Sequence, residues 1–137
     1  MDNQEKTQTE TLQTSDVTSL IAEFKSLPEE LRTEEGKLVA LENRSRELQT
    51  KMKFKESLIM KDIVNATIED KPLYSNKEKR DTELAKRLND STEYAELFKE
   101  EVVNDDKIRL CKVEIDFMVR RFTKDKVLLN FFAAKGE

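Results

Sequence analysis

Histidine is absent from this 137-residue chain, and with it go the commonest general base and the commonest metal ligand. Glycine and proline number two each. Tight turns draw on glycine at positive φ and proline at fixed φ, so compact α/β and all-β folds need more of both. A single cysteine, Cys111, leaves no internal disulfide to staple the fold. Long apolar runs are also missing. None approaches the roughly 18 residues of a membrane span, and no apolar run follows a basic N-terminal start. The expectation is a protein with no membrane segment and no signal peptide, located in the cytoplasm.

Charge is what the chain has in quantity. Charged residues make up 39%, and the mean hydropathy is -0.75. With so few breakers, this composition belongs to long helices and coiled coils. The net charge of -4 is unevenly spread. Residues 1–35 carry nine acids and three bases. Residues 37–61 and 107–126 each carry seven bases and three acids. The acidic total argues against a simple DNA-binding protein, while the two basic segments leave local phosphate contact open.

The apolar residues fall on two heptad seams. Tyr94, Leu97, Glu101, Asn104, Ile108, Cys111, Ile115, Met118, Phe122, Asp125, Leu129 and Phe132 form one, with nine of twelve positions apolar or aromatic. Leu20, Phe24, Leu27, Leu31, Glu34, Leu38, Leu41, Ser45, Leu48, Met52, Lys55, Ile59, Asp62 and Ala66 form the other, with ten of fourteen apolar. A stripe of period 3.5 is buried only against another helix. The expected fold class is all-α: an elongated antiparallel helical hairpin, coiled-coil-like, with a short connecting helix.

In chain order, residues 1–15 read as a flexible polar tail and 16–137 as one elongated helical domain. Asp16 is the expected first cap, followed by a helical turn over 17–26. A long helix spans about 28–66, with Pro28 in its first turn. Gly36 is placed to let a neighbour approach closely. The stripe broadens over Leu58, Ile59, Ile63, Val64 and Ile68, which predicts the thickest core at the connector end. Thr67 to Tyr74, with Pro72, is the main break. Ser75 and Glu78 have capping-box spacing and start a short helix over about 76–88 that shows Leu84, Ala85 and Leu88 inward. Asp90 then caps a long helix over about 91–134.

No catalytic constellation emerges, so the chain reads as a non-enzyme. Cys111 sits at a seam position and reads as a small buried hydrophobe. Asp105, Asp106, Glu114 and Asp116 lie along one helix and read as a solvated face. Gly36 and Gly136 cannot form a phosphate-cradling loop. No cofactor and no metal are expected. Two surfaces carry the functional reading. Lys51, Lys53, Lys55, Arg120, Arg121, Lys124 and Lys126, with Phe117, Phe122, Phe131 and Phe132 nearby, suit phosphates and unpaired bases. Leu110, Val113, Phe117, Val127, Leu128 and Phe131 lie off the seam on a second face, which suits self-association.

The run Tyr74-Ser75-Asn76 with Glu78 and Arg80, then Leu88, Tyr94 and Leu97, then Glu114-Ile115 with Arg120-Arg121-Phe122 and Leu128-Leu129, resembles small helical proteins encoded by tailed bacteriophages. Those proteins are often encoded in the DNA replication and recombination region. The length and helical layout are also similar to those of the phage recombination mediator that loads a recombinase onto single-stranded DNA. The resemblance implies a homo-oligomeric accessory factor of phage recombination or replication, located in the host cytoplasm. Single-stranded DNA, a recombinase or a single-strand-binding protein would be its partner. The alternative is a protein-only interaction module: a scaffold, a chaperone or an inhibitor of a host protein.

Overall fold

The computed structural model describes the backbone of residues 2–136 and the side chains of residues 16–136. The chain is all-α apart from one small strand pair. Helix α1 spans Asp2–Asn65, α2 spans Lys77–Asp90 and α3 spans Thr92–Lys135. Strands β1 (Thr67–Ile68) and β2 (Lys71–Pro72) lie between α1 and α2. The polar tail expected over 1–15 falls on residues whose side chains are outside the description; from Asp2 on, their backbone belongs to α1.

Both seams are legible in the burial pattern. All twelve expected positions on α3 are buried or half-buried, as are thirteen of the fourteen from Leu20 to Ala66, the residue just past α1. Asp62 is the exception; it is exposed, and Ile63 beside it is fully buried. Contacts sort the chain into two compact units, where the sequence reading has one domain over 16–137. The first joins the segment ending at Leu38 to the segment from Leu110 on, and the second is Val39–Arg109.

In the first unit, the rings of Phe24 and Phe122 stack at 4.6 Å. Glu23 meets Arg121, and the Cys111 thiol donates to the Glu34 carbonyl at 3.3 Å. Leu27 is the most buried apolar side chain here. Pro28 lies inside α1, which corrects the expected helix start at that residue. A proline there removes the N–H that would reach the Phe24 carbonyl, at a cost of about 3 kcal/mol. The burial of Leu27 beside it and the Phe24–Phe122 stack hold the helix through that point. Gly36 has nothing within 4 Å of where a Cβ would stand, so no neighbour requires it to be small.

In the second unit, partners on α3 fall in number as those on α1 rise. The Asn104 amide donates to the Leu41 carbonyl at 2.8 Å, Arg44 Nε to Glu100 at 2.9 Å and Gln49 to Glu101 at 3.1 Å. Lys55 donates to Glu93 at 3.0 Å, and the Tyr94 hydroxyl to Glu56 at 2.8 Å. Burial first, then the Glu56 carboxylate, pushes the Tyr94 pKa up to about 12. Leu48, Met52 and Ile63 form the buried apolar core. The connector end is not its thickest part. Leu58, Val64 and Ile68 are all exposed, and α2 contributes no buried residue.

The break holds two caps and a turn. Asn76, not Ser75, caps α2: its side chain accepts the Lys79 N–H at 2.8 Å. Ser91, not Asp90, serves both neighbouring helices. Its backbone N–H donates to the Leu88 carbonyl at 3.1 Å, and its hydroxyl accepts the Tyr94 N–H at 3.2 Å. On α2, Leu84 and Leu88 are half-buried, while Ala85 faces solvent.

β1 and β2 pair with Ile68 opposite Lys71, which leaves Glu69 and Asp70 as a two-residue turn. Both have positive φ, 53° and 64°. That is the conformation of a type I′ turn, where Asn-Gly is favoured. Left-handed backbone costs an ordinary residue roughly 1 kcal/mol or more. Replacing Glu69-Asp70 by Asn-Gly is therefore expected to stabilise the chain by about 1 kcal/mol. The check is the denaturation midpoint; an unchanged or lowered midpoint would count against this turn geometry.

Candidate interaction surfaces

The seven basic residues expected at a nucleic-acid surface divide by what they meet. Lys51 is 3.6 Å from Glu47, Lys55 is 3.0 Å from Glu93 and Arg120 is 3.1 Å from Asp116. Arg121 pairs with Glu23, and its guanidinium lies 5.6 Å from the centre of the Phe117 ring. Each of these four cations has a carboxylate beside it, which offsets the local field that would draw a phosphate. Lys53, Lys124 and Lys126 are exposed, with no ion pair among the described residues. Lys51, Lys53 and Lys55 belong to the second unit and the other four to the first.

The aromatic residues divide in the same way. Phe122 is committed to its stack on Phe24 and cannot receive a base. Phe132 is half-buried on the seam, edge-on to Phe131 at 5.8 Å. Phe117 and Phe131 are the two that face outward.

The expected self-association face fares differently. Leu110, Val113, Phe117, Val127 and Phe131 are between 54% and 64% exposed. The 17–26 segment does not cover them. Leu128 is the correction: it is half-buried, one residue before the seam position Leu129, and so turns partly inward. The five others recur along α3 at helical spacing within the first unit. Exposed apolar area of this extent marks an interaction surface more often than a solvated face.

Other features go beyond the sequence reading. Phe54, Phe98, Val102 and Val103 in the second unit are about half exposed or more; their places off the seam were the available signal. The described residues line open grooves in both units. One of about 440 Å³ lies in the second unit beside Met60, Val64 and Leu84. One of about 320 Å³ lies in the first unit beside Pro28, Leu31, Met118 and Phe122.

The titratable groups have ordinary structural causes for their shifts. Glu34 is held below the usual carboxylate range, first by its hydrogen bond from Lys37. Burial, then the nearby Glu34 carboxylate, pushes the Cys111 thiol up, which favours the protonated form over a nucleophilic thiolate. Asp125 is buried, and its Oδ2 has no hydrogen-bond partner among the described residues. Among the described residues, no group of three or more His, Cys, Asp or Glu side chains could hold a metal ion, and no helix is long and apolar enough to cross a membrane.

Comparison of the chain with protein-family models, with curated proteins and with solved structures returns no match.

Proposed function

We propose that the chain is a non-catalytic interaction protein, an antiparallel coiled-coil hairpin that acts by docking the outer face of α3 on another protein surface. The observation that carries this reading is the exposed stripe Leu110, Val113, Phe117, Val127 and Phe131. The cations beside it support the reading, since Arg120 and Arg121 are already matched to acids within the chain. Affinity capture on the tagged full chain, with proteins identified by mass, tests it. Wild type is expected to retain a protein that the Leu110→Asp/Phe117→Asp variant loses, with helix content unchanged by circular dichroism. Retention of the same proteins by both would overturn the reading.

A second reading is favoured by Lys124 and Lys126, exposed lysines of the first unit with no ion pair among the described residues. In it, the chain is a cytoplasmic accessory factor of phage DNA recombination or replication that touches single-stranded DNA. Two phosphate contacts, from Lys124 and Lys126, would give log K against log salt a slope of about -1.4. Anisotropy of a labelled oligonucleotide measures that slope. Lys124→Glu/Lys126→Glu is expected to flatten it, and no binding at low salt would remove this reading.

A further inference from the structure

We infer that the occupant of the α3 outer face is a second copy of this chain, laid antiparallel with Leu110 of one copy against Val127 of the other. This rests on the docking reading above and deepens it by naming the partner. The starting point is spacing. Leu110, Phe117, Lys124 and Phe131 recur every seven residues, with Val113, Arg120 and Val127 between them. The outer face therefore carries a second heptad seam, independent of the one buried inside the unit. All seven positions are exposed.

Charge then selects the direction and the register. A parallel pair sets each seam residue against its own twin. Arg120 would meet Arg120 and Lys124 would meet Lys124 in adjacent layers, and like charges held together are destabilising. An antiparallel pair sets the two kinds of seam position against each other. With Leu110 on Val127 of the second copy, Phe117 faces Arg120 and Val113 faces Lys124, each twice by symmetry. A guanidinium over a phenyl face is attractive. In the same register, Glu114, exposed and without an ion pair among the described residues, comes beside Arg121 of the second copy. Sliding one heptad in one direction sets Arg120 on Lys124. Sliding one heptad in the other carries Val127 past the end of the matched surface, where Phe131 alone already lies, and sets Leu110 on Arg120.

The area is sufficient for a specific but modest contact. Leu110, Val113, Phe117 and Val127, with the stems of Arg120 and Lys124, offer on the order of 500 Å² per copy, so the pair buries about 1,000 Å², near the lower limit for a specific interface. Two-fold antiparallel pairing also closes on itself and leaves no repeating end to extend.

The test uses the full chain with Cys111→Ala, so that introduced thiols are the only ones. Leu110→Cys and Val127→Cys proteins are oxidised separately and as an equal mixture at micromolar concentration. The mass of the unmodified chain is measured alongside, so a folding fault in a variant does not decide the result. The expected result is a disulfide dimer in the mixture and little in either protein alone. Self-linked Leu110→Cys or Val127→Cys dimers would overturn the antiparallel arrangement. A dimeric mass without linkage in the mixture would place the contact elsewhere. A monomeric unmodified chain would overturn self-pairing altogether. In that last case, loss of a different captured protein on Leu110→Asp/Phe117→Asp would leave the docking reading standing.

Discussion

Replacing Leu48 by alanine is expected to destabilise the chain by about 3–5 kcal/mol, the upper part of the range for buried leucines. Leu48 is 0% exposed, so the full transfer energy of the removed carbons is lost. The cavity adds to it. The buried apolar core of the second unit is only Leu48, Met52 and Ile63, which leaves few side chains to close over a void. A domain's whole stability is about 5–15 kcal/mol, so this one change removes a large share of it. The control is Phe54→Ala. Phe54 is 66% exposed, and surface substitutions usually stay within about 0.5 kcal/mol. Urea denaturation followed by helix content checks both. A loss at Leu48 no larger than at Phe54 would mean that the two helix segments of this unit do not meet there.

Replacing Asp125 by leucine is expected to act in the opposite direction and stabilise the chain by about 1–3 kcal/mol. The carboxylate is only 2% exposed, and its Oδ2 has no hydrogen-bond partner among the described residues. A buried polar oxygen without a donor has lost its water and gained nothing in return. Leucine fills a similar volume and suits a seam position. Asparagine at 125 should fall between the two, since it removes the charge but keeps an amide to satisfy. Asn104 provides the contrast. It is also buried on the seam, but its amide donates to the Leu41 carbonyl, so Asn104→Ala is expected to cost stability. The midpoint of thermal unfolding orders all four proteins. A lower midpoint for Asp125→Leu would mean that the carboxylate is satisfied.

These predictions rest on the part of the fold that the sequence displays most openly. A seam of period 3.5 announces the buried side of each helix, and Tyr94 to Phe132 is buried where that period places it. The one slip, at Asp62, has a geometric cause. A straight helix turns every 3.6 residues, so a strict heptad drifts around it, and a four-residue step from Ile59 reaches Ile63. Local competition hid other features. Ser75 and Asn76 are both good caps, and spacing to Glu78 favours the wrong one. Glu69-Asp70 carries no glycine, so nothing marks a two-residue turn. Pro28 reads as a helix start because its cost inside a helix is met only by tertiary contacts of Leu27 and Phe24.

The candidate surfaces were legible to different degrees for the same reason. The outward stripe on α3 is a matter of periodicity, and the sequence carries it with the exception of Leu128. The state of the basic residues is not. Asp116 with Arg120 and Glu47 with Lys51 are four residues apart and visible in advance. Glu23 with Arg121 and Lys55 with Glu93 are brought together only by folding. Once those acids are in place, four of the seven cations have a carboxylate beside them.

On the pairing proposed above, the outer face of α3 buries itself against the same face of a second copy of the chain. Sedimentation equilibrium of the full chain and of Phe117→Glu tests it most directly. Twice the 16.0 kDa chain mass is expected for wild type, falling to the single mass for the variant. A single mass for both, or twice the mass for both, would contradict it.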